Sequence, residues 1–268
     1  MNKLTCLETY LKEDQSHYGC FLIEPLEIGQ GITIGNALRR TLLSELTGFA
    51  ITGVRMNNLK HEFAIVEGLR EDILEVILNL KEITFRSSFA GQEKKPKWKA
   101  FLNTQGPAIV TAGMLKLPKK ANLKILNPNQ YICTIVDQSE FYLEIDIENG
   151  KGYRLTNENR RLNLNEKFSP IRPSTLLIDS VFMPIKKVNY KTKLIHDTQG
   201  NIKESLTLEI VTNGSLTPKR SLQESLKILM NLFYPLFVTR DFLEVSSTLA
   251  KTFYQSENLK NQLGNQPK

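Results

Sequence analysis

The stretch that most constrains the fold of this chain is residues 29–46, GQGITIGNALRRTLLSEL. A glycine-flanked turn leads into it, and Thr33 is placed to cap a helix with its hydroxyl. Arg39 and Arg40 are adjacent, so they point about 100° apart around a helix axis. Apolar residues recur every fourth position, which is typical of a helix with one buried face: Ile34, Leu38, Leu42 and Leu46. The stretch predicts an amphipathic helix, ended by Thr47-Gly48.

Three interpretations of this stretch compete. The first is a core helix with a solvated basic side. The second is a phosphate-binding glycine loop, but a dinucleotide fingerprint needs glycine at position 34, which is Ile34, and the Gly-Lys-Ser/Thr end of a P-loop is absent. The third is a family resemblance, which depends on the rest of the chain.

Composition and charge exclude several classes of protein. The chain has 268 residues, 41% of them hydrophobic and 24% charged, which are globular values. It has no run of 18 apolar residues, so we expect no membrane span, and residues 1–15 resemble neither a signal nor a transit peptide. Because its three cysteines and three histidines lack ligand spacing, we expect no metal or cofactor site.

The order of patterns along the chain predicts an α+β fold. Residues 21–28 predict a strand that Pro25 moves to an edge or a bend, and residues 187–197 and 204–214 predict a hairpin around Gly200-Asn201. Between residues 83 and 165 the chain predicts short strands and turns. Thr217-Pro218 opens a second strongly amphipathic helix, in which Pro235 predicts a kink or an end.

A shorter helix is predicted over residues 70–81. Leu74 and Leu78 lie opposite its main apolar face, so we expect it to be buried between layers. Glu71 and Asp72 lie in its predicted first turn and Lys81 in its last, which matches the helix dipole. Strands are predicted on either side of residue 60, at 50–58 and 62–68.

No catalytic constellation is visible in the sequence. The aspartates are scattered and form no Asp-x-Asp pair that would hold two magnesium ions, and no nucleophile has a matching base and orienting group. This favours a binding or assembly protein.

The stretch 29–46 resembles a signature of the α subunits of multisubunit DNA-directed RNA polymerase, in their cyanobacterial and plastid form. The similarity continues in order through HEFAIVEGLREDILEVILNLKEITFRS at 61–87, GKGYRL at 150–155, LLIDSVFMPIKKVNY at 176–190 and TNGSLTPKRSLQESLKIL at 212–229. On these blocks the chain is identified as a member of that family.

The resemblance implies a two-part dimerisation domain, residues 1–48 and 177–238, made of a sheet and two amphipathic helices. A β-rich insert domain, residues 49–176, interrupts it. A short polar tail, 239–268, follows without the bacterial C-terminal domain.

The implied function is assembly. The chain would homodimerise and scaffold the β and β′ subunits of the polymerase, a nucleotidyltransferase, while carrying no catalytic residues itself. It would transcribe plastid genes as part of that enzyme, meet DNA only through the assembled polymerase and bind no membrane. We expect it in the plastid rather than in bacterial cytoplasm.

Matching positions imply three contact surfaces. The dimer interface would use Ile34, Leu38, Leu42, Leu46, Leu222, Leu226, Leu229 and Phe233. The β subunit would contact Asn36, Arg39, Arg40, His61, Glu62, Glu67 and Gly68. The β′ subunit would contact Lys81, Leu177, Ile178 and Asp179.

An alternative from another class is a free-standing basic RNA- or ribosome-binding module. It would use the net charge of +7 and the segment EKKPKWK at 93–99, which is otherwise predicted as a solvated loop. Such a module would depend on Lys94, Lys95 and Lys97, whereas a scaffold would depend on Arg40.

Overall fold

The structure is a computed structural model that describes residues 3–57, 59, 63, 66–87, 97–156, 158, 175–196 and 200–238. Residues 1–225 form one compact unit and residues 226–268 a second. Antiparallel strands dominate the first unit. The α-helices with defined bounds are α1 (Gln30–Ser44), α2 (Ile73–Lys81) and α3 (Pro218–Phe237).

The first sheet joins the two ends of the first unit. Its strands are β1 (Lys3–Leu11), β2 (His17–Leu26), β13 (Ile185–His196) and β14 (Ile202–Thr212), in the order β1-β2-β14-β13. The antiparallel pairing of β13 with β14 confirms the predicted hairpin. Pro25 lies in an inner strand, so the edge prediction is wrong; the register shifts opposite it, between Glu204 and Leu206, which accommodates the missing N–H group.

Helix α1 packs on β13 and β14 through two glycines. A Cβ atom on Gly35 would lie 2.6 Å from the ring of Tyr190, and one on Gly31 would lie 2.8 Å from both Thr192 and Glu204. Because glycine has no Cβ atom, the helix backbone can lie closer to the sheet than any other residue at these two positions would allow. The glycines of this stretch therefore serve helix–sheet packing.

Both predicted ends of α1 need correction. The helix begins at Gln30, after Gly29 with φ of 89°, and the Thr33 hydroxyl donates to the Gly29 carbonyl inside the first turn. The buried Glu204 carboxylate accepts the Gly31 N–H at 3.0 Å and so takes the capping role. The helix ends at Ser44, and Thr47 and Gly48 begin the next strand.

The second sheet has the order β11-β3-β9-β5. Its strands are β3 (Thr47–Met56), β5 (Lys97–Gln105), β9 (Glu140–Lys151) and β11 (Leu176–Leu177). Three small ladders surround it: β4 (Phe85–Ser87) with β7 (Leu123–Ile125), β6 (Ala108–Thr111) with β8 (Tyr131–Ile135), and β10 (Tyr153–Arg154) with β12 (Ser180–Val181). This block matches the predicted run of short strands.

Helix α2 covers the core of this block with one face only. Its buried residues are Ile73, Val76, Ile77 and Leu80. Leu74 and Leu78 are exposed, so the prediction that α2 is buried between layers is wrong. The helix starts three residues later than predicted because Glu71 is engaged elsewhere: its carboxylate accepts the Thr134 N–H at 2.7 Å and the Tyr131 hydroxyl.

The outer face of the second sheet carries an ion-pair network. Arg55 on β3 contacts Glu144 and Asp146 on β9, and the Lys99 ammonium on β5 lies 2.9 Å from Glu144. Lys97 lies 3.5 Å from Glu148. Residues 97–99 therefore belong to a paired strand rather than to the predicted loop, and the remainder of 93–99 lies outside the described residues.

Two further predictions concern segments that the structure describes in part. The strand predicted at 62–68 is absent at the described residues Phe63 and 66–68, of which 67 and 68 form a turn, while residues 62, 64 and 65 lie outside the described residues. The polar tail 239–268 also lies outside them.

Helix α3 begins as predicted. The Arg220 N–H donates to the Thr217 hydroxyl at 3.4 Å, which confirms Thr217 as the N-cap. Its first turns bury Ser221, Leu222 and Ser225. Pro235 lies within the helix, which continues to Phe237.

The packing of α1 predicts that Gly35→Ala destabilises the fold, although the same substitution usually stabilises a helix. Alanine is intrinsically the better helix former by about 1 kcal/mol, yet its Cβ would meet three ring atoms of Tyr190 at 2.6–2.9 Å. Since overpacking costs about 1–3 kcal/mol, we expect a net loss of unfolding free energy, measured by urea denaturation. The matched control is Asn36→Ala at the exposed neighbouring position; equal stability of the two variants would contradict the packing.

Candidate functional site

The two arginines of α1 have different environments. The Arg39 guanidinium donates from Nε to the Val188 carbonyl of β13 at 3.2 Å, so it is tied to the chain's own sheet. The Arg40 side chain is exposed and has no hydrogen-bond or ion-pair partner among the described residues. Asn36, one turn before Arg40, is also exposed. We call Asn36 and Arg40 the α1 outer face.

The α1 outer face can recognise a carboxylate or a backbone carbonyl on a partner. A guanidinium presents its donors in a planar fork that matches two acceptor oxygens at once. Because α1 is fixed to β13 and β14, this fork is held on a rigid element. Arg39 is exposed as well, but its hydrogen bond to β13 fixes its guanidinium on this chain.

The second predicted segment for β contact is a turn held against β8. Gly68 has φ of +83°, Glu67 is exposed, and the Gly68 carbonyl accepts the Val136 N–H at 2.8 Å. Among the described residues no hydrogen bond or ion pair joins this turn to α1. His61 and Glu62 lie outside the described residues.

Lys81 and Asp179 line a shared cavity of about 120 Å³. The end of α2, the beginning of β3 and the strand β12 form its walls. Its lining includes Phe49, Thr84, Val181, Met183 and Asn213. The structure thus brings together two predicted β′ contacts that are 98 residues apart in the sequence. We call Lys81, Asp179 and this lining the junction cavity.

Asp179 is held as a carboxylate. The Thr156 hydroxyl donates to it at 2.7 Å, the Thr156 N–H at 2.8 Å and the Tyr153 hydroxyl at 3.1 Å. These hydrogen bonds, together with the charge of Lys81, lower the pKa of Asp179 below its usual value. The junction cavity therefore presents a fixed negative charge beside the exposed Lys81.

The two residues before Asp179, Leu177 and Ile178, are less accessible to a partner. Ile178 is 3% exposed and belongs to the hydrophobic core, while Leu177 is half-buried in β11. Of the predicted run 177–179, Asp179 is therefore the residue whose polar group faces the cavity.

The predicted dimer stripe divides into two groups. Leu38, Leu42, Leu46 and Leu222 are at most 2% exposed, so their side chains fill this chain's own core and offer no surface to a second copy. Ile34, Leu226 and Leu229 are half-buried, and Phe233 is 59% exposed. Of the predicted dimer residues, Ile34 on α1 and Leu226, Leu229 and Phe233 on α3 therefore keep surface that a second copy could contact.

The later turns of α3 carry an apolar surface wider than the predicted stripe. Six large residues are exposed there, and we call them the α3 apolar patch: Met230, Leu232, Phe233, Tyr234, Leu236 and Phe237. The sequence signal for them is the segment ILMNLFYPLF at 228–237, which is apolar around the whole helix.

Sequence patterns missed the residues that position these surfaces. Glu204 and Thr156 are distant in sequence from the groups they hold, and nothing in their local pattern marks them. Among the described residues there is no group of three or more potential metal ligands, and no helix there is long and apolar enough to cross a membrane.

Comparison with known proteins identifies similar sequences. A family model described as the RNA polymerase Rpb3/RpoA insert domain matches residues 54–183. The chain is 44% identical over 234 residues to "DNA-directed RNA polymerase subunit alpha" of Rhodomonas salina, covering 87% of this chain and 70% of the relative. The protein of the same name from Pyropia yezoensis is 41% identical over 231 residues, 86% of this chain and 70% of the relative. That from the cyanobacterium Trichormus variabilis is 40% identical over 234 residues, 87% and 70%.

The contacts of Asp179 predict the effect of Thr156→Val. Loss of the hydroxyl removes the strongest cause of the lowered pKa, so the pKa of Asp179 should rise toward 3.8 in a carbon-13 NMR titration of the carboxyl groups. Because a lowered pKa stabilises the fold above the unfolded value and is lost as pH falls through the folded value, the wild type should lose more stability than the variant below about pH 4.

Asp14 provides the internal control for that titration. Hydrogen bonds from Ser16 lower the pKa of Asp14 to about 2, and Thr156 has no part in them. Its titration should be the same in both proteins. A pKa of Asp179 that does not change in the variant would contradict the assigned hydrogen bond.

Proposed function

The chain belongs to the family of DNA-directed RNA polymerase α subunits, and we propose that it dimerises through α3 and binds the β and β′ subunits at two separate surfaces. Its role is that of the α subunit in the polymerase core, a nucleotidyltransferase complex. The observation that carries the proposal is the different fate of two adjacent arginines on α1.

The α1 outer face is the proposed β-binding surface. Both arginine side chains are exposed, but Arg39 donates to the Val188 carbonyl, whereas Arg40 has no side-chain partner among the described residues. The turn at Glu67 and Gly68 is a second element proposed to meet β.

The α3 apolar patch is the proposed dimer interface. Each large apolar side chain that becomes buried contributes about 1.5–3 kcal/mol. Exposed apolar residues that occur singly are normal on a monomer, but six within eight positions form a contiguous patch, which is typical of an interaction site. The half-buried Leu226 and Leu229 would lie at the margin of this interface.

The junction cavity is the proposed β′ contact. It offers one exposed cation, Lys81, and one oriented anion, Asp179, beside apolar lining from Phe49 and Met183. Such a mixture suits a polar loop of a protein partner.

The proposed domain division follows the two sheets except at its boundaries, because Thr47, Gly48 and Leu177 belong to strands of the second sheet and the insert-domain model extends to residue 183. The first sheet with α1 and α3 would form the dimerisation domain, residues 1–48 and 177–238, and residues 49–176 the insert domain. Relatives occur in plastids and in cyanobacteria; on the resemblance of residues 29–46 to the cyanobacterial and plastid form of the family, we propose a plastid location.

The alternative of a free-standing RNA- or ribosome-binding module is not supported. The comparisons place the chain among polymerase α subunits. In addition, Lys97 and Lys99 face Glu148 and Glu144, so these charges are largely neutralised within the chain.

The β contact is tested by reconstitution. We expect Arg40→Ala to reduce co-purification with β by about tenfold or more, because losing a charge-assisted hydrogen bond costs roughly 1.5–3 kcal/mol. Arg40→Lys should restore only part of the binding, since an ammonium group cannot make the bidentate contact of a guanidinium. Lys187→Ala removes the same charge from an exposed position and serves as control; equal losses in both alanine variants would refute the surface.

The dimer is tested by solution mass. The wild-type chain should sediment at twice its monomer mass, and Leu232→Asp with Phe233→Asp should be monomeric yet folded, because charges in an apolar interface are costly. Circular dichroism reports the fold of each variant.

Ile109→Asp provides the matched control for the dimer, because Ile109 is equally exposed but lies in β6, in the two-stranded ladder with β8. It should remain dimeric. A dimer that persists when Leu232 and Phe233 carry charges would place the interface elsewhere.

A further inference from the structure

Four exposed lysines lie within nine residues of the insert block: Lys116, Lys119, Lys120 and Lys124. We call them the lysine patch. The sequence from 106 to 136 contains no aspartate or glutamate, so no acidic side chain of this segment offsets them. This is a strong local departure from the mixed charge of the rest of the chain.

The lysine patch is displayed on a fixed surface. Leu115, Ala121 and Leu123 alternate with the lysines and are all at least 91% buried in the core. The Lys116 backbone exchanges two hydrogen bonds with Phe101 of β5, at 2.7 and 3.2 Å. The segment therefore turns its apolar side chains inward and its ammonium groups outward.

The charges of the lysine patch are not neutralised within the described part of the chain. None of the four ammonium groups forms an ion pair with a described residue, whereas Lys99, Lys151 and Lys203 do. The nearby Arg86, whose backbone pairs with Lys124, turns its guanidinium to the Gly214 carbonyl.

We propose that the lysine patch binds the phosphate backbone of duplex DNA, without sequence preference. Contacts to phosphate need positive charges at a surface and no apolar anchor. The core of a protein interface, in contrast, is depleted in lysine and enriched in aromatic residues. This proposal goes beyond subunit assembly, because none of the four lysines belongs to the α1 outer face, the junction cavity or the α3 apolar patch.

Duplex DNA fits the patch better than a single strand. Proteins that hold single strands stack successive bases on aromatic side chains. The segment 112–130 has no aromatic residue. The exposed Phe101 beside Lys116 is a single ring and does not provide a platform for successive bases. The rigid backbone charge of a duplex is the ligand that such a surface recognises.

The test compares two variants of the full chain that carry the same net charge. One replaces the patch (K116Q, K119Q, K120Q, K124Q). The other replaces four exposed lysines of the first sheet and its turn (K3Q, K12Q, K187Q, K193Q). The probe is a short fluorescein-labelled duplex of arbitrary sequence, and anisotropy is followed between about 50 and 200 mM salt.

We expect the logarithm of the wild-type binding constant to fall linearly with the logarithm of the salt concentration, with a slope of about −0.9 for each phosphate neutralised. The patch variant should lose most of that slope and at least about tenfold in affinity at low salt. The control variant should keep most of both. The double variant K119Q/K120Q changes only one turn and should lose about half of the slope. It provides the same comparison if the fourfold variant fails to fold.

Three results would overturn the proposal. Equal losses in the two fourfold variants would mean that net charge alone attracts DNA. A clear preference for the labelled single strand would exclude the duplex. Tighter binding of a labelled polyglutamate peptide than of the duplex at equal salt would assign the patch to an acidic protein. Co-purification with β, measured on the same variants, should not change and therefore keeps this test separate from the assembly role.

Discussion

The close approach of α1 to strands β13 and β14 is the contact on which the rest of this structure depends. Gly31 and Gly35 let the helix backbone lie against Thr192 and the ring of Tyr190, and the Glu204 carboxylate receives the first free N–H group of the helix. These contacts fix both the rotation and the axial position of α1. Leu38 and Leu42 are then directed into the core, and Arg40 must point outward.

The junction cavity is positioned by two contacts between residues that are distant in the sequence. A Cβ atom on Gly48, at the beginning of β3, would lie 2.1 Å from the Phe182 carbonyl oxygen, so only glycine permits this crossing. Arg86 of β4 donates from Nε to the Gly214 carbonyl at 3.1 Å and ties the insert block to the end of β14. The junction cavity forms where these connections meet, which is why residues from distant parts of the sequence line it.

The sequence predicted what short-range periodicity encodes. The alternation on both sides of Gly200-Asn201 specified a hairpin, and the four-residue repeat of leucines specified α1, because these patterns arise within one element. Periodicity shows which face of a helix is buried but not which chain buries it, so Leu38 and Leu42 were assigned to a dimer interface although they fill the monomer core.

Other outcomes depend on contacts between distant residues. The sequence pattern predicts turns and helix stops at the glycines of α1 and β3. In the structure, Gly31, Gly35 and Gly48 instead permit close contact with side chains or backbone more than 130 residues away. Arg39 and Arg40 could not be distinguished, because their difference lies in the position of the Val188 carbonyl. Glu204 had no local signal for the same reason.

The most direct measurement of the central claim is site-specific photo-crosslinking in the assembled polymerase. A benzophenone amino acid would be placed at position 36 or 39 of α1, with Arg40 left in place, and crosslinked products identified by mass spectrometry. We predict crosslinks to β from position 36 and an internal crosslink to β13 from position 39. Crosslinks to β from position 39 alone, or from neither position, would contradict the proposed β-binding surface.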